Sequence, residues 1–195
     1  MDARQILRKK LCAYRAKLTL HDQTIASQKI TQQLIQNPHF QKSQYIAAYI
    51  AINQEIDPEI IIKTAWQCHK DCYLPVLQEK KLIFSVYKKN MPLIKNQFNI
   101  PEPPLSSESI IEPCHLDVVL VPLLGFTNNG ERLGMGGGFY DRSFSFLLNG
   151  VRPAKPYLIG LAYEWQKLKS FESSAWDVPL NAIITEENFY LNTSF

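Results

Sequence analysis

Residues 116–142 read LDVVLVPLLGFTNNGERLGMGGGFYDR, and their order decides the fold. The apolar run from Leu116 to Pro122, interrupted only by Asp117, is short and valine-rich, as expected of a strand covered on both faces. It leads directly into a segment that holds most of the chain's 8 glycines. Gly134, Gly136, Gly137 and Gly138 remove side chains just ahead of a helix expected from about Tyr140 to Leu148. Backbone N–H groups can then approach an anion, and a helix start adds positive potential. Strand, glycine turn and helix in that order predict a phosphate site at the carboxyl end of a strand. Neither standard nucleotide motif fits, because no Gly-Lys-Ser/Thr follows and the GxGxxG spacing begun by Gly134 and Gly136 ends on Phe139.

Outward from this segment the pattern alternates. Tyr45 to Ile52 is apolar throughout and predicts a buried parallel strand; Asp57 and Pro58 suit the cap and first position of a helix burying Ile61, Ile62, Ala65 and Trp66. Weaker strands are expected at Cys72 to Val76, where Pro75 argues for an edge or an end, and at Leu82 to Tyr87. Further strands are expected at Tyr157 to Leu161 and Ala182 to Thr185. Residues 99–113, with Pro101, Pro103, Pro104 and Pro113 beside Ser106, Ser107 and Ser109, predict an ordered loop over the sheet. Towards the start, Leu7, Leu11, Tyr14 and Leu18 form one helical stripe that leaves Arg4, Arg8 and Arg15 on its flanks and far side. A second helix, about Thr24 to Ile35, ends before Asn37-Pro38. The expected architecture is a three-layer α/β/α sandwich with a mainly parallel sheet, Rossmann-like but without the dinucleotide fingerprint, in a single domain spanning residues 1–195.

Composition excludes the main alternatives to a globular chain. With 46% apolar and 20% charged residues, 8 Gly and 12 Pro, the 195 residues read neither as disordered, nor as collagen, nor as a coiled coil. No apolar run reaches the roughly 18 residues of a membrane span, and the first residues do not read as a secretory signal, so no membrane partner and a cytoplasmic location are expected. Cys12, Cys68, Cys72 and Cys114 read as reduced thiols; the Cys68, His69 and Cys72 group lacks a second ligand pair at a zinc-site spacing, and His21, His39, His69 and His115 show no mutual metal spacing. The net charge of +3 does not select nucleic acid, and none is expected as a partner. The first twenty residues nevertheless carry Arg4, Arg8, Lys9, Lys10, Arg15 and Lys17 against one acid, Asp2, a field that suits an anionic small ligand or a solvated helix face.

The charges around the glycine loop complement a phosphate chain. Arg132 can fork onto phosphate oxygens, and Asp141, just inside the expected helix, can hold a Mg²⁺ that bridges them. The stretch VPLLGFTNNGERLGMGGGFYDR resembles the signature of the 5-formyltetrahydrofolate cyclo-ligase family, its bacterial form in particular. Further matches fall in family order along the chain: Ser27-Gln28 and Ile30, Tyr49 and Glu55, Leu74-Pro75, Pro101-Glu102-Pro103, Ile159 to Ala162, Gln166, Asp177-Val-Pro, and Ile184-Thr185.

The resemblance implies ATP- and Mg²⁺-dependent closure of 5-formyltetrahydrofolate, with or without a polyglutamate tail, to 5,10-methenyltetrahydrofolate, releasing ADP and phosphate. It implies that Arg4, Arg8, Arg132 and the loop Gly134, Met135, Gly136, Gly137, Gly138, Phe139 and Tyr140 contact ATP. It places Mg²⁺ on Asp141 with help from Asp177, and the substrate near Ile50, Glu55, Met135 and Tyr140. Arg132, Tyr140 and Asp141 are then the expected catalytic groups, in a monomer. A formyl oxygen leaves poorly until it is phosphorylated, after which N10 can displace it as phosphate, and such a transfer relies on alignment and charge neutralisation rather than on a protein nucleophile. Thr127 stands where many relatives carry Asp, Gly125 where many carry Ala, and Met135 and Gly137 where some carry bases. A non-catalytic ATP- or folate-binding protein and a basic-helix interaction module are the competing readings.

Overall fold

The computed structural model describes residues 2–149 and 151–194; residues 1, 150 and 195 of the expected domain span lie outside the described residues. Helix α1 (Ala3–Arg15) follows Asp2, whose carboxylate accepts from the Arg4 amide. Helix α2 (Leu20–Ile35) starts ahead of the expected Thr24, because Thr19 and Asp22 cap it reciprocally, each amide donating to the other side chain. A short α3 (Pro38–Lys42) leads into strand β1 (Tyr45–Ala47). Helix α4 (Glu59–Gln67) is entered through Asp57, whose Oδ1 accepts from the Glu59 amide at 2.9 Å. Strands β2 (Asp71–Gln78) and β3 (Lys81–Val86) form a hairpin, followed by β4 (Ile94–Lys95), β5 (Pro101–Glu102) and β6 (Ile110–Ile111). Then come β7 (Val118–Pro122), β8 (Gly125–Phe126), β9 (Arg132–Leu133), α5 (Phe139–Ser143), β10 (Tyr157–Leu161), β11 (Ala182–Ile184) and β12 (Phe189–Leu191).

Eight strands form the main sheet in the order β12-β11-β10-β7-β1-β2-β3-β6. The run from β11 to β2 is parallel, and β12, β3 and β6 join antiparallel at the two sides. Strand β7 shows why both faces must be covered: Val118 and Leu120 pack with Ile30, Leu34 and Ile61 on one face, while Val119 and Val121 pack with Phe84, Phe144 and Leu147 on the other. The expected three-layer, mainly parallel α/β/α architecture is what the chain adopts, although the layer holding α5 is thin. Among the described residues no helix is long and apolar enough to cross a membrane.

From β1 the chain moves through α4 to β2 on one side, whereas from β7 it proceeds to β10 and β11 on the other. The order therefore reverses between β1 and β7, and a crevice opens beyond their carboxyl ends, the place where open α/β sheets bind ligands.

Several expectations need correction. The apolar run Tyr45 to Ile52 pairs only over Tyr45–Ala47; the Ala48 amide still donates to Tyr73, but the chain then leaves the sheet and reverses through Asn53 and Gln54, both at positive φ (48° and 56°). Because β1 stops early, Pro75 needs no partner on that side although β2 is an interior strand: it pairs with Phe84 of β3, so the edge it signalled is local. The helix expected from Tyr140 to Leu148 breaks at Phe144 (φ −111°), whose ring is buried beside Phe84, and continues as a 3₁₀ turn, Ser145–Leu148. Residues 99–113 are more than a loop, since they supply β5 and the edge strand β6. Arg15 lies on the inner side of α1, 2% exposed, while Tyr14 is 53% exposed with its ring 4.4 Å from that of Trp165.

Candidate functional site

The crevice beyond β1 and β7 is a cavity of about 770 Å³, within the usual range for small-ligand sites. Four chain segments that sequence reasoning assigned separately meet on its wall. Helix α1 contributes Arg4 and Arg8, the reversal after β1 contributes Ile50 and Glu55, the segment from β7 to α5 contributes Arg132 and Gly134 to Asp141, and the stretch between β10 and β11 contributes Asp177. Every residue expected at the site lines this one cavity.

The glycine loop is shaped as a cradle. Gly136 and Gly138 sit at φ 101° and 64°, conformations that side-chain-bearing residues rarely adopt. Among the described residues, no backbone or side-chain acceptor takes the amides of Gly134 to Gly138, so these donors remain available to a ligand. The loop's carbonyls, in contrast, are tied down. Arg8 Nε donates to Gly134 O at 2.8 Å, and Arg142 Nη2 donates to Gly137 O at 2.6 Å while its Nε holds Lys80 O. Since α5 has only five residues, the N–H array of the loop and the nearby arginines carry the positive potential, not the helix start expected from the sequence.

The acids that sequence reasoning assigned to a metal are paired with arginines. Asp141 Oδ1 accepts from Arg132 Nη2 and from the Val178 amide at 3.1 Å, with the Arg132 and Asp141 side chains 6% and 17% exposed. Asp177 Oδ2 accepts from Arg4 Nη1 at 2.9 Å and from the Ser174 amide at 2.9 Å. Each carboxylate keeps its other oxygen free of protein donors among the described residues. A hard cation that takes one or two carboxylates and completes its shell with phosphate oxygens and water fits this donor set. A cation needing three protein ligands does not, and among the described residues no group of three His, Cys, Asp or Glu side chains could hold one.

Glu55 and the phenols mark a different environment. Burial raises the Glu55 carboxyl above its usual range, while Arg15 opposes that shift. One carboxylate oxygen accepts from the Ile52 amide at 3.2 Å, so the backbone reversal itself aims this side chain. Tyr140 is held well above the usual phenol range by burial and by Glu55, with Arg132 pulling the other way. Its ring also lies under Arg132, 5.7 Å from the guanidinium carbon. Tyr49 is likewise raised, chiefly by burial, and its hydroxyl donates to Ile56 O at 2.7 Å. Both phenols stay protonated near neutral pH and can serve as donors, not as bases.

Sequence reasoning missed two apolar parts of the wall. Phe98 and Trp176 are 55% and 70% exposed, and like Met135 (57%), which was expected near ATP and substrate, they are large apolar side chains left uncovered where they line the cavity. Nothing in the local sequence marks Phe98 or Trp176, and only their exposure in the fold reveals them. Arg15 carried a signal: it falls four residues after Leu11 and eight after Leu7, on the apolar stripe of α1. Thr127 stays away from the cavity wall, its hydroxyl donating to Glu131 Oε2 at 2.8 Å and its amide to Glu131 O at 3.0 Å within the β8–β9 turn. Among the described residues Cys68 and Cys72 join no group of three metal-ligating side chains; Cys72 is buried, which pushes its thiol up to about 12.

Comparison with known proteins finds matches over nearly the whole chain. The model of the 5-formyltetrahydrofolate cyclo-ligase family matches residues 1–186. The chain is 36% identical to the 5-formyltetrahydrofolate cyclo-ligase of Haemophilus influenzae over 93% of its own length and 96% of the relative's. It is 32% identical to that of Escherichia coli K12, over 88% and 93%. Among solved structures, the 5,10-methenyltetrahydrofolate synthetase of Aquifex aeolicus superposes with a TM-score of 0.84 at 27% identity, covering 100% of this chain and 95% of that one.

Proposed function

The chain belongs to the 5-formyltetrahydrofolate cyclo-ligase family, and from that premise we propose that its single domain, residues 1–195, converts 5-formyltetrahydrofolate and ATP to 5,10-methenyltetrahydrofolate, ADP and phosphate. The observation that carries the reading is the shared cavity: unclaimed loop amides and arginines line the same space as the buried Glu55 carboxyl and the Tyr140 phenol. A triphosphate and a fused-ring substrate fit those two chemistries side by side.

In this reading the Gly134 to Gly138 amides, with Arg4, Arg8 and Arg132, bind and orient the phosphate chain. Met135 and Phe139 lie along the same loop, where their backbones extend the cradle. Arg132 also neutralises charge on the transferred group, the usual way a phosphoryl transfer is helped by protein. Asp141 and Asp177 are the residues that would hold Mg²⁺, each through the oxygen that no protein donor occupies. When bound, the cation neutralises phosphate oxygens. Glu55 accepts from N–H groups of the substrate's pterin ring, with Ile50 supplying an apolar contact, and Tyr140 donates its proton as a hydrogen bond between ring and phosphate. The formyl oxygen attacks the γ-phosphorus and ADP leaves; N10 then adds to the formyl carbon, and the C–O bond breaks to release phosphate, which carries away the N10 proton as the five-membered ring closes to its amidinium. No protein nucleophile is required, so the four cysteines remain bystanders.

The direct test supplies ATP, Mg²⁺ and 5-formyltetrahydrofolate and follows the methenyl chromophore together with phosphate release, with and without the metal. Both products in equal amounts, and only with Mg²⁺, support the reading. Binding of either ligand without product would instead favour a non-catalytic binding protein.

A further inference from the structure

Behind Glu55 lies a charge that does not reach the cavity. Arg15 is absent from the cavity wall, yet its Nη1 stands 3.5 Å from Glu55 Oε1, with the two side chains 2% and 8% exposed. The same nitrogen donates to Leu123 O at 3.4 Å, at the exit of β7. Gln166 fixes that exit from another direction, donating to Leu123 O at 3.1 Å and Leu124 O at 2.9 Å. Arg15 thus bridges the reversal that carries Glu55 and the strand end that leads to the glycine loop. Its Nε has no hydrogen-bond partner among the described residues, an arrangement that costs stability. An apolar side chain on this stripe of α1 would serve packing better, since buried ion pairs contribute little net stability. The pair is better explained by what it does to Glu55.

We infer that Arg15 is a positioning residue for substrate recognition: from outside the cavity, its guanidinium fixes the orientation and negative charge of the Glu55 carboxylate that lines it. The inference deepens the proposed reading of Glu55 and rests on it. An ionised carboxylate only accepts hydrogen bonds, whereas a protonated one presents a donor as well, which mismatches the N–H groups of a pterin edge. Among the described residues no other cation acts on Glu55. The groups around Glu55 are Tyr49 and Asp57 from its own segment, Tyr140 from α5 and Tyr163 from the segment after β10, whose hydroxyl donates to Gln54 O at 3.0 Å. Arg132 acts on Tyr140, and Asp22 and Glu186 act on Tyr163. Burial already raises the Glu55 carboxyl and Arg15 is the charge that opposes it, so removing Arg15 moves its protonation towards neutral pH.

The experiment compares wild type, Arg15→Met and Arg15→Lys in two measurements. The first is a ¹³C titration of glutamate-labelled unliganded protein, with the Glu55 carboxyl resonance assigned through Glu55→Gln. The second is the dissociation constant for 5-formyltetrahydrofolate between pH 6 and 9, with that for ATP as a control. Arg15→Met should titrate Glu55 at higher pH than wild type does and bind 5-formyltetrahydrofolate more weakly at pH 7, with the loss shrinking towards pH 9 as the carboxyl ionises. Arg15→Lys should fall between, and ATP affinity should hold in all three. An unchanged Glu55 titration, or a loss of folate affinity equal at every pH, would overturn the inference. If Arg15→Met does not fold, Arg15→Lys carries the same comparison. A wild-type protein that forms no methenyl product would count against the proposed function, whereas the unliganded titration would still decide Arg15's hold on Glu55.

Discussion

Replacing Asp141 by asparagine separates two duties that one carboxylate performs. Its Oδ1 serves Arg132 and the Val178 amide, and an asparagine oxygen in the same place keeps both as acceptor while losing the charge. Removing one partner of a fully buried pair costs 3–5 kcal/mol, and a hydrogen bond to a charged group contributes about 1.5–3 kcal/mol. Asp141 is 17% exposed, so the neutral replacement should cost about 2 kcal/mol, or roughly 4–8 °C in Tm for a chain of this size. Turnover should suffer more, because the oxygen that no protein donor occupies is replaced by an amide NH2, a donor that cannot hold a cation there. A fall of about 100-fold or more in kcat is expected, comparable to removing a single group that stabilises transition-state charge. The Mg²⁺ concentration for half-maximal rate should rise with it. A calorimetric melt and a methenyl absorbance assay across a Mg²⁺ series measure the two effects separately. Wild-type turnover with an unchanged Mg²⁺ dependence, in a variant that melts a few degrees lower, would show that the carboxylate only braces Arg132.

Other substitutions probe other links. Gly136→Ala, at φ 101°, should weaken ATP binding in a direct titration and cost about 1–2 kcal/mol of stability through the strained backbone alone. Asp117 accepts from the Gln44 and Tyr45 amides, both at 2.9 Å, and from Lys155 at 3.1 Å, which together hold it below its ordinary value of 3.8 despite its burial. Its contribution is therefore complete above pH 3.8 and lost as pH falls through the lower folded value; Asp117→Asn should be less stable by about 1 kcal/mol near neutrality and indistinguishable from wild type in strongly acidic urea melts. A thiol reagent at pH 7 should label exposed Cys68 and Cys114 and leave Cys72 unmodified in the native state, and Cys68→Ser should turn over like the parent; activity lost with Cys68 would contradict a mechanism without a protein nucleophile.

Local sequence carried the parts of the fold that depend on local chemistry. The valines of β7, the glycines after it and the uninterrupted apolar strand β10 were readable because burial on two faces and positive φ leave direct marks on residue type. Elements decided by distant contacts were not. Phe144 looks like any helical residue until Phe84 claims its ring, and β12 is a strand only because β11 offers an edge. In the site, residue identities were legible and their partners were not. Asp177 meets Arg4 across 173 positions, and nothing near either residue announces the pair. Arg15, expected on the flanks and far side of α1, is buried: its charge favours solvent, but its spacing from Leu7 and Leu11 puts it on the inner face.

Helix α1 has a consequence for how the molecule is made. It is synthesised early, but Arg15 reaches Leu123, Arg8 reaches Gly134 and Arg4 reaches Asp177, separations of 108, 126 and 173 residues. A nascent chain can fold α2, β1 and α4 against one another while α1 finds only Glu55, through Arg15, and none of the apolar partners of Leu7 and Leu11. The helix must then wait on the ribosome with its leucines bare until the final third of the polypeptide has emerged, and its docking completes the enzyme's assembly in one late, long-range step.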